Sequence, residues 1–531
     1  MTQNCGQAMV KLLENYGVDT VFGIPGVHNL ELYRGLAESP IRHVLARHEQ
    51  GAGFMADGYA RATGRVGVAF VITGPGVSNI ATAIGQAFSD SIPMLVVSSV
   101  NESWSLGKGA GRLHESKDQL DFTRPVTALS ARASSVAEAE QLIHQAFAIF
   151  ASQRPRPVHI EVPLDILGQP AGELWRPKEL PVRPAKLSQL DAAVARLNQA
   201  KNPMIIAGGG CVDAAAELQQ LAEQLGAPVF TSVAGKGLLP SHHPLLAGSL
   251  LCVEPGWKMI AEADCVIAVG TELADTDFWC DRIEISENLV RIDLDSQKMT
   301  GIYPAKIPLV ADAKATLGEL NQQIVARASA NAEERVKQLK AALQNNLPRM
   351  YQSHQQVLSA IREGLSAATV MATDMTQLAY SGNIFYPVDQ PKKWLHPTGY
   401  GTLGYALPSA IGAAIGAKLP AAVLVGDGGL QYTINELATA AEYLSEQSFV
   451  VLMWNNSRLG QIWDDMELRD IEPVAVAMHN PNFELLAQGY HFAYRKLTQI
   501  SEIAPALEEL QSKSGCWFVE LDATSLEQRD S

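Results

Sequence analysis

The chain has 531 residues and a mass of 57.2 kDa, room for about three domains at roughly 100–200 residues each, which excludes a peptide, a disulfide knot and a lone small binding module. Lys and Arg number 41 against 56 Asp and Glu, a net charge of −15, which argues against a binder of phosphate backbones and leaves small molecules or further copies of the chain as partners. With 47% hydrophobic and 18% charged residues, the composition suits a protein that buries more surface between subunits, so a homo-oligomer is expected.

Short apolar runs followed by Gly-rich turns and helical patterns recur along the chain, the signature of α/β units with parallel sheets. In the first segment, Val66 to Ile72 and Met94 to Val97 read as buried strands. Glu49 follows the apolar Val44-Leu45-Ala46 and precedes small residues, so it is expected to be buried at a helix start. A plain helix-start charge, or an ion pair to Arg47 or Arg61, is the alternative. Thr73-Gly74-Pro75-Gly76-Val77-Ser78-Asn79 is a turn after a strand, and His28 and His114 sit in loop-like surroundings. An isolated His is more often a packed or surface residue than a catalyst.

Gly168 to Lys186 holds Pro170, Pro177, Pro181 and Pro184 without apolar periodicity and reads as an extended linker. In the middle segment, Met204 to Ala207 and Cys265 to Val269 are predicted strands. Gly208-Gly209-Gly210 lacks the third glycine of a dinucleotide fingerprint, so a structural role without bound flavin is expected. Asn331 to Gln356, polar and charged with helical spacing, predicts one exposed connecting helix. Thr369 to Thr373, Ala421 to Val425 and Phe449 to Trp454 are strands of the last segment. The fold class is therefore α/β, with three doubly wound parallel-sheet domains over 1–168, 186–330 and 350–531. The six cysteines show no CxxC and no metal-ligand spacing and read as reduced thiols of a cytoplasmic protein, and no membrane span is expected.

The chemistry concentrates in the last segment. One strand runs into Gly426-Asp427-Gly428-Gly429 and the next ends on Asn455-Asn456, which sets two oxygen side chains at the carboxyl ends of neighbouring strands, where open α/β sheets bind ligands. The glycines admit a phosphate to backbone amides, and Asp427 with Asn456 are hard donors suited to Mg²⁺. An ordinary strand-to-helix turn is the bland reading; the paired asparagines weigh against it.

These motifs resemble the thiamine diphosphate enzyme superfamily, in its acetolactate synthase, benzoylformate decarboxylase and 2-oxo acid decarboxylase branch, over essentially the whole chain. The resemblance implies a pyrimidine-binding first domain, a central domain and a diphosphate-binding third domain. It implies Mg²⁺ held by Asp427, the Asn456 side chain and the Arg458 carbonyl. It makes Glu49 the carboxylate that protonates the cofactor's aminopyrimidine, Thr73, Gly74 and Asn79 part of the pyrimidine cradle, and Leu403 the bulky residue beneath the cofactor. Thr376, Gln377, Gly426, Gly428 and Gly429 would meet the diphosphate, and His114, then His28, would relay protons. Val27 and Ile72 stand where some branches carry an acid and a histidine.

The expected activity is non-oxidative decarboxylation of a 2-oxo acid by a homodimer or homotetramer with cofactor at the dimer interface. A carboligase of acetolactate synthase type and a catalytically silent subunit are the alternatives. After Asn456, Leu459 to Glu467 would line the substrate channel, with Ile462 facing the reacting carbon and Asp465 one helical turn farther out; Asp464 points elsewhere on the helix. An acid there suits a cationic tail, and residues 26–35 and 459–466 resemble the branch acting on 5-guanidino-2-oxopentanoate, with 4-guanidinobutanal as the expected product.

Overall fold

Continuous aliphatic runs with no polar alternation are stable as strands only where both faces are covered, the situation of a parallel sheet flanked by helices. The computed structural model describes residues 3–184, 188–328 and 330–529; of the expected domain ends, positions 1, 186 and 531 lie outside these residues. It places the apolar runs in three six-stranded sheets. The first contains β1 (Thr20–Gly23), β2 (Arg42–Leu45), β3 (Gly67–Val71), β4 (Met94–Val100), β5 (Leu129–Arg132) and β6 (Val158–Pro163). The second contains β7 (Pro203–Ala207), β8 (Val229–Thr231), β9 (Leu246–Gly248), β10 (Cys265–Val269), β11 (Leu289–Asp293) and β12 (Ile307–Val310). The third contains β13 (Val370–Thr373), β14 (Trp394–Leu395), β15 (Ala421–Gly426), β16 (Ser448–Asn455), β17 (Ala493–Leu497) and β18 (Gly515–Asp522).

Pairing within these sheets is parallel, and the orders are β2-β1-β3-β4-β6-β5, β12-β11-β10-β7-β8-β9 and β14-β13-β15-β16-β18-β17. The first and third orders are the same topology, so the similar grammar of the two segments reflects one folding pattern used twice. Residues 171–184 between the first two sheets carry no helix or strand, as an extended linker should, although Trp175 is buried against the first unit.

The first and third units share one core. Helix Glu49–Thr63 and helix Ala406–Ala417 lie face to face, and Phe54, Met55 and Tyr59 pack in one cluster with Tyr405, Ile411 and the inner residues of β15 and β16. Backbones touch where they cross: a Cβ on Gly58 would stand 2.0 Å from the Ser409 carbonyl oxygen, and one on Gly412 would stand 1.9 Å from that of Met55. A buried ion network fastens the same seam, with Arg61 Nε donating to Asp57 at 2.6 Å, its Nη2 to Asp90 at 2.7 Å, and Tyr405 Oη to Asp57 at 2.7 Å.

The single exposed helix expected over 331–356 is corrected. Two helices, Ala330–Asn345 and Arg349–Gly364, meet at Leu347-Pro348, because proline lacks the amide a continuing helix needs and disfavours helical backbone in the residue before it. The second helix is not an exposed connector, since Val357, Leu358 and Ile361 are buried in the third unit. Among the described residues no helix is long and apolar enough to cross a membrane, and all six cysteines are free thiols.

Candidate active site

In the first unit the candidate residues gather at the carboxyl ends of β2 to β4. β2 ends at Leu45, and the helix beginning at Glu49 starts after three intervening residues, with the His48 ring nitrogen accepting the Gln50 amide as its cap. Glu49 is 9% exposed and accepts from Asn79 Nδ2 at 2.9 Å. Neither arginine of the alternative reading is its partner: Arg47 pairs with Glu442 and Arg61 with Asp57 and Asp90. The turn before Glu49 is held from the third unit, where Glu436 accepts the Arg47 and His48 amides at 3.0 Å each. Burial pushes the Glu436 carboxyl up to about 7. Its role has no sequence signal, because it lies far along the chain.

The Thr73–Asn79 loop follows β3. Thr73 donates through its amide and hydroxyl to Ser99 Oγ, and the Gly74 amide donates to Gln119 Oε1 at 2.7 Å. Gly74 has φ +68°, and a Cβ there would stand 2.4 Å from the His114 carbonyl oxygen, so a glycine is required. Gln119, unremarked in the sequence, is the buried hub of this loop, its amide also donating to Ser98, Ser99 and Glu161.

His28 and His114 meet edge to face with ring centroids 5.2 Å apart. His114 holds φ +62°, a left-handed conformation costly for a residue with a Cβ. His28 Nδ1 is buried without a hydrogen-bond partner, as is Oε2 of Glu102, whose other oxygen pairs with Arg112. Burial, and then the neighbouring His114, pull His28 below the ordinary imidazole range, so its ring is neutral at pH 7.

In the third unit β15 and β16 pair with Gly426 opposite Trp454, which brings Asp427 and Asn455-Asn456 to adjacent strand ends. Asp427 is buried and opens a short helix, Asp427–Gln431. Its Oδ2 accepts from Asn480 Nδ2 at 2.6 Å, and Asn480, which no sequence motif marks, also donates to Asn455 Oδ1 at 3.1 Å. Burial pushes the Asp427 carboxyl up, and it has no ion pair among the described residues. Asn456 Oδ1 accepts the Arg458 amide at 3.1 Å. A buried, cation-free carboxylate beside amide and carbonyl oxygens is a donor set that fits a hard divalent ion.

Around this point the small residues are confined by their neighbours. A Cβ on Gly426 would meet Thr376 Oγ1 at 3.0 Å, one on Gly428 the Met478 side chain at 3.0 Å, and one on Gly429 Asp374 at 3.3 Å and Leu403 at 3.6 Å. Leu403 thus stands against the Gly429 turn. Gln377 Nε2 donates to Asp464 at 2.6 Å, and Asp464 also pairs with Arg529 at 2.7 Å, so this carboxylate already has a cation. Ile462 is 47% exposed, while Asp465, whose hydrogen bond comes from Gln461 at 3.2 Å, lines a cavity of about 730 Å³ between the second and third units. In the second unit Gly210 and Gly270 pack backbone to backbone, the work the glycine triplet does there.

A parallel-sheet pair carrying a buried glutamate on one sheet and a hard-ion motif on the other defines a class, and three family models match accordingly. These are the thiamine pyrophosphate enzyme N-terminal TPP binding domain over residues 3–122, its central domain over 190–320 and its C-terminal TPP binding domain over 374–521. The chain belongs to the thiamine pyrophosphate enzymes, thiamine pyrophosphate being thiamine diphosphate. It is 55% identical over 98% of its length to "Probable 2-ketoarginine decarboxylase AruI" of Pseudomonas aeruginosa, of which it covers 94%. It is 31% identical to the acetolactate synthase isozyme 1 large subunit of Escherichia coli, with 96% of this chain and 92% of that protein aligned.

Proposed function

We propose that the chain is a thiamine diphosphate- and Mg²⁺-dependent, non-oxidative decarboxylase that converts 5-guanidino-2-oxopentanoate to 4-guanidinobutanal and CO₂. The substrate is 2-ketoarginine, and 55% identity over nearly the full length to a protein of that name supports it. The observation that carries the reaction type is the His28–His114 pair. Release of a free aldehyde requires a proton at the carbon that CO₂ has left, and two imidazoles, one neutral with a bare buried nitrogen, are groups able to move it at neutral pH. A carboligase places a second carbonyl compound at that carbon instead.

When bound, thiamine diphosphate supplies the carbon nucleophile for the 2-oxo group and the electron sink for loss of CO₂. Glu49 holds and returns a proton at its carboxyl, oriented by Asn79. Thr73, Gly74 and Asn79 would line the rings, Leu403 would press beneath them, and Thr376, Gln377, Gly426, Gly428 and Gly429 would lie along the diphosphate. Asp427, Asn456 and the Arg458 carbonyl would hold Mg²⁺. His114 is the favoured proton relay and His28 the second. Ile462 would face the reacting carbon and Asp465 the cationic end, with Asp464 orienting Gln377.

The cofactor would lie between the first unit of one copy and the third of another, in a homodimer or a homotetramer of dimers. Exposed Val27, Leu113 and Trp104 beside the histidine pair, and exposed Tyr432 and Ile462 in the segments that follow the metal motif, support a contact between copies at both mouths. Six free thiols support a cytoplasmic location. The test is CO₂ release across a panel of 2-oxo acids with thiamine diphosphate and Mg²⁺. The guanidino acid should be preferred and should give free aldehyde. Preference for pyruvate or benzoylformate, or a ligated hydroxyketone as the main product, would overturn the reading.

A further inference from the structure

The cavity of about 730 Å³ between the second and third units is lined by the segments that follow β8, β9 and β10, by the end of the connecting helix Ala330–Asn345 with the break after it, and by helices of the third unit. Three acids, Glu254, Asp277 and Asp465, are in its wall, and no Lys, Arg or His is. Glu254 is neutralised outside the cavity by Lys258 at 2.7 Å. Asp277 has no ion pair among the described residues, and Asp465 has only the neutral Gln461 amide. Lys236 lies behind the wall, with Nζ donating to the Asn383 carbonyl at 2.9 Å, and burial pulls it down to about 7; it makes no ion pair with either acid among the described residues.

Asp277 is half-buried with no cation paired to it, a costly placement for a carboxylate, and burial pushes it up to about 7, opposed in part by a backbone hydrogen bond at Ala274. Trp279, two residues on from Asp277 and also in the wall, is 67% exposed and held at φ +53°, with an indole on which a flat cation can stack. One helix links the cavity wall, through Gln461 and Asp465, to the metal motif. Helix Gly460–Leu468 starts where a Cβ on Gly460 would meet Gln377 Oε1 at 2.4 Å and Asn456 Nδ2 at 2.7 Å. Asp465 is five residues along that helix, an axial advance of about 7.5 Å, the scale of a three-methylene arm ending in a guanidinium.

We propose that Asp277 of the second unit and Asp465 of the third together form the seat for the substrate's cationic end, with Trp279 as its flat wall, which makes the central unit a determinant of specificity. This rests on the reading of the chain as a decarboxylase of a 2-oxo acid with a cationic tail. The planar guanidinium can donate to both carboxylates at once, which a single acid on the helix does not provide.

The test compares Asp277→Asn, Asp465→Asn and the double variant, as holoenzymes, on 5-guanidino-2-oxopentanoate and on uncharged 2-oxohexanoate. For either single variant, kcat/KM for the guanidino acid relative to that for 2-oxohexanoate should fall about 10- to 150-fold, mainly through KM. The two losses should be less than additive if both acids hold one cation. Competitive inhibition of wild type by 4-guanidinobutanoate, weakened in the Asp465→Asn variant, gives a second readout if Asp277→Asn fails to fold. Equal losses on both substrates, an unchanged ratio, or inhibition by 4-guanidinobutanoate that Asp465→Asn leaves unchanged would overturn the seat. Wild type that ignores the guanidino acid while decarboxylating other 2-oxo acids would instead overturn the substrate reading beneath it.

Discussion

Glu49 enters its helix with Asn79 as hydrogen-bond partner and its preceding turn pinned by Glu436, so the carboxyl is placed before any cofactor arrives. Glu49→Gln keeps the volume and removes the transferable proton, and turnover should fall ~10²–10⁴-fold while thiamine diphosphate affinity changes little. Steady-state rates beside a cofactor titration check this, and near wild-type turnover would make Glu49 structural. Asp427→Ala removes the buried anion of the metal motif, so cofactor should be lost on gel filtration with the far-UV circular dichroism unchanged; full retention would rule the site out. His159 offers a stability test away from catalysis. It is buried, with Ser98 Oγ at 2.7 Å on one ring nitrogen and Thr123 Oγ1 at 2.8 Å on the other, and burial pulls it down to about 3. Its unfolded value is near 6.5, so the unfolded chain binds the extra proton and this part of the stability is lost as pH falls from about 6.5 to about 3. Denaturation midpoints of His159→Gln should therefore fall less steeply across that window than those of wild type.

At the scale of elements, strands were legible because an unbroken aliphatic run has one stable environment, and Ala421–Gly426 and Cys265–Val269 follow directly from it. Asp427 and Asn456 were legible for the same reason, since each closes such a run. The break at Leu347-Pro348 is masked in the sequence because polar helical spacing continues on both sides of it. Glu436, Gln119, Asn480 and Asp277 left no trace, because each acts on a residue remote in sequence or through a cavity that only the packed units create. The helix crossing supplies a prediction at this scale. Gly412→Ala drives a methyl into the Met55 carbonyl, and the overpacked seam should cost about 1–3 kcal/mol, read as a lower urea midpoint at unchanged slope. An unshifted midpoint would mean that the two helices separate freely.

For the whole molecule, the proposed split of the site between two copies has a direct consequence. Glu49→Gln and Asp427→Ala homo-oligomers, each inactive, should regain activity when unfolded, mixed and refolded together, because one site of each mixed dimer then escapes both changes. Random pairing gives about a quarter of wild-type activity. No recovery would place both halves of the site within one chain.

The core shared by the first and third units also constrains how the chain is made. Phe54, Met55 and Tyr59 emerge from the ribosome early, yet Tyr405, Ile411 and the strands around Val423 and Val451 that cover them are synthesised some 350 residues later. At about 5–20 residues per second that is a wait of tens of seconds with an apolar helix face uncovered, while the central unit, which has its own core, folds in the interval. The nascent first unit should be a chaperone client until the last sheet is complete, and a chain released after residue 184 should bind a hydrophobic dye that the full-length protein does not.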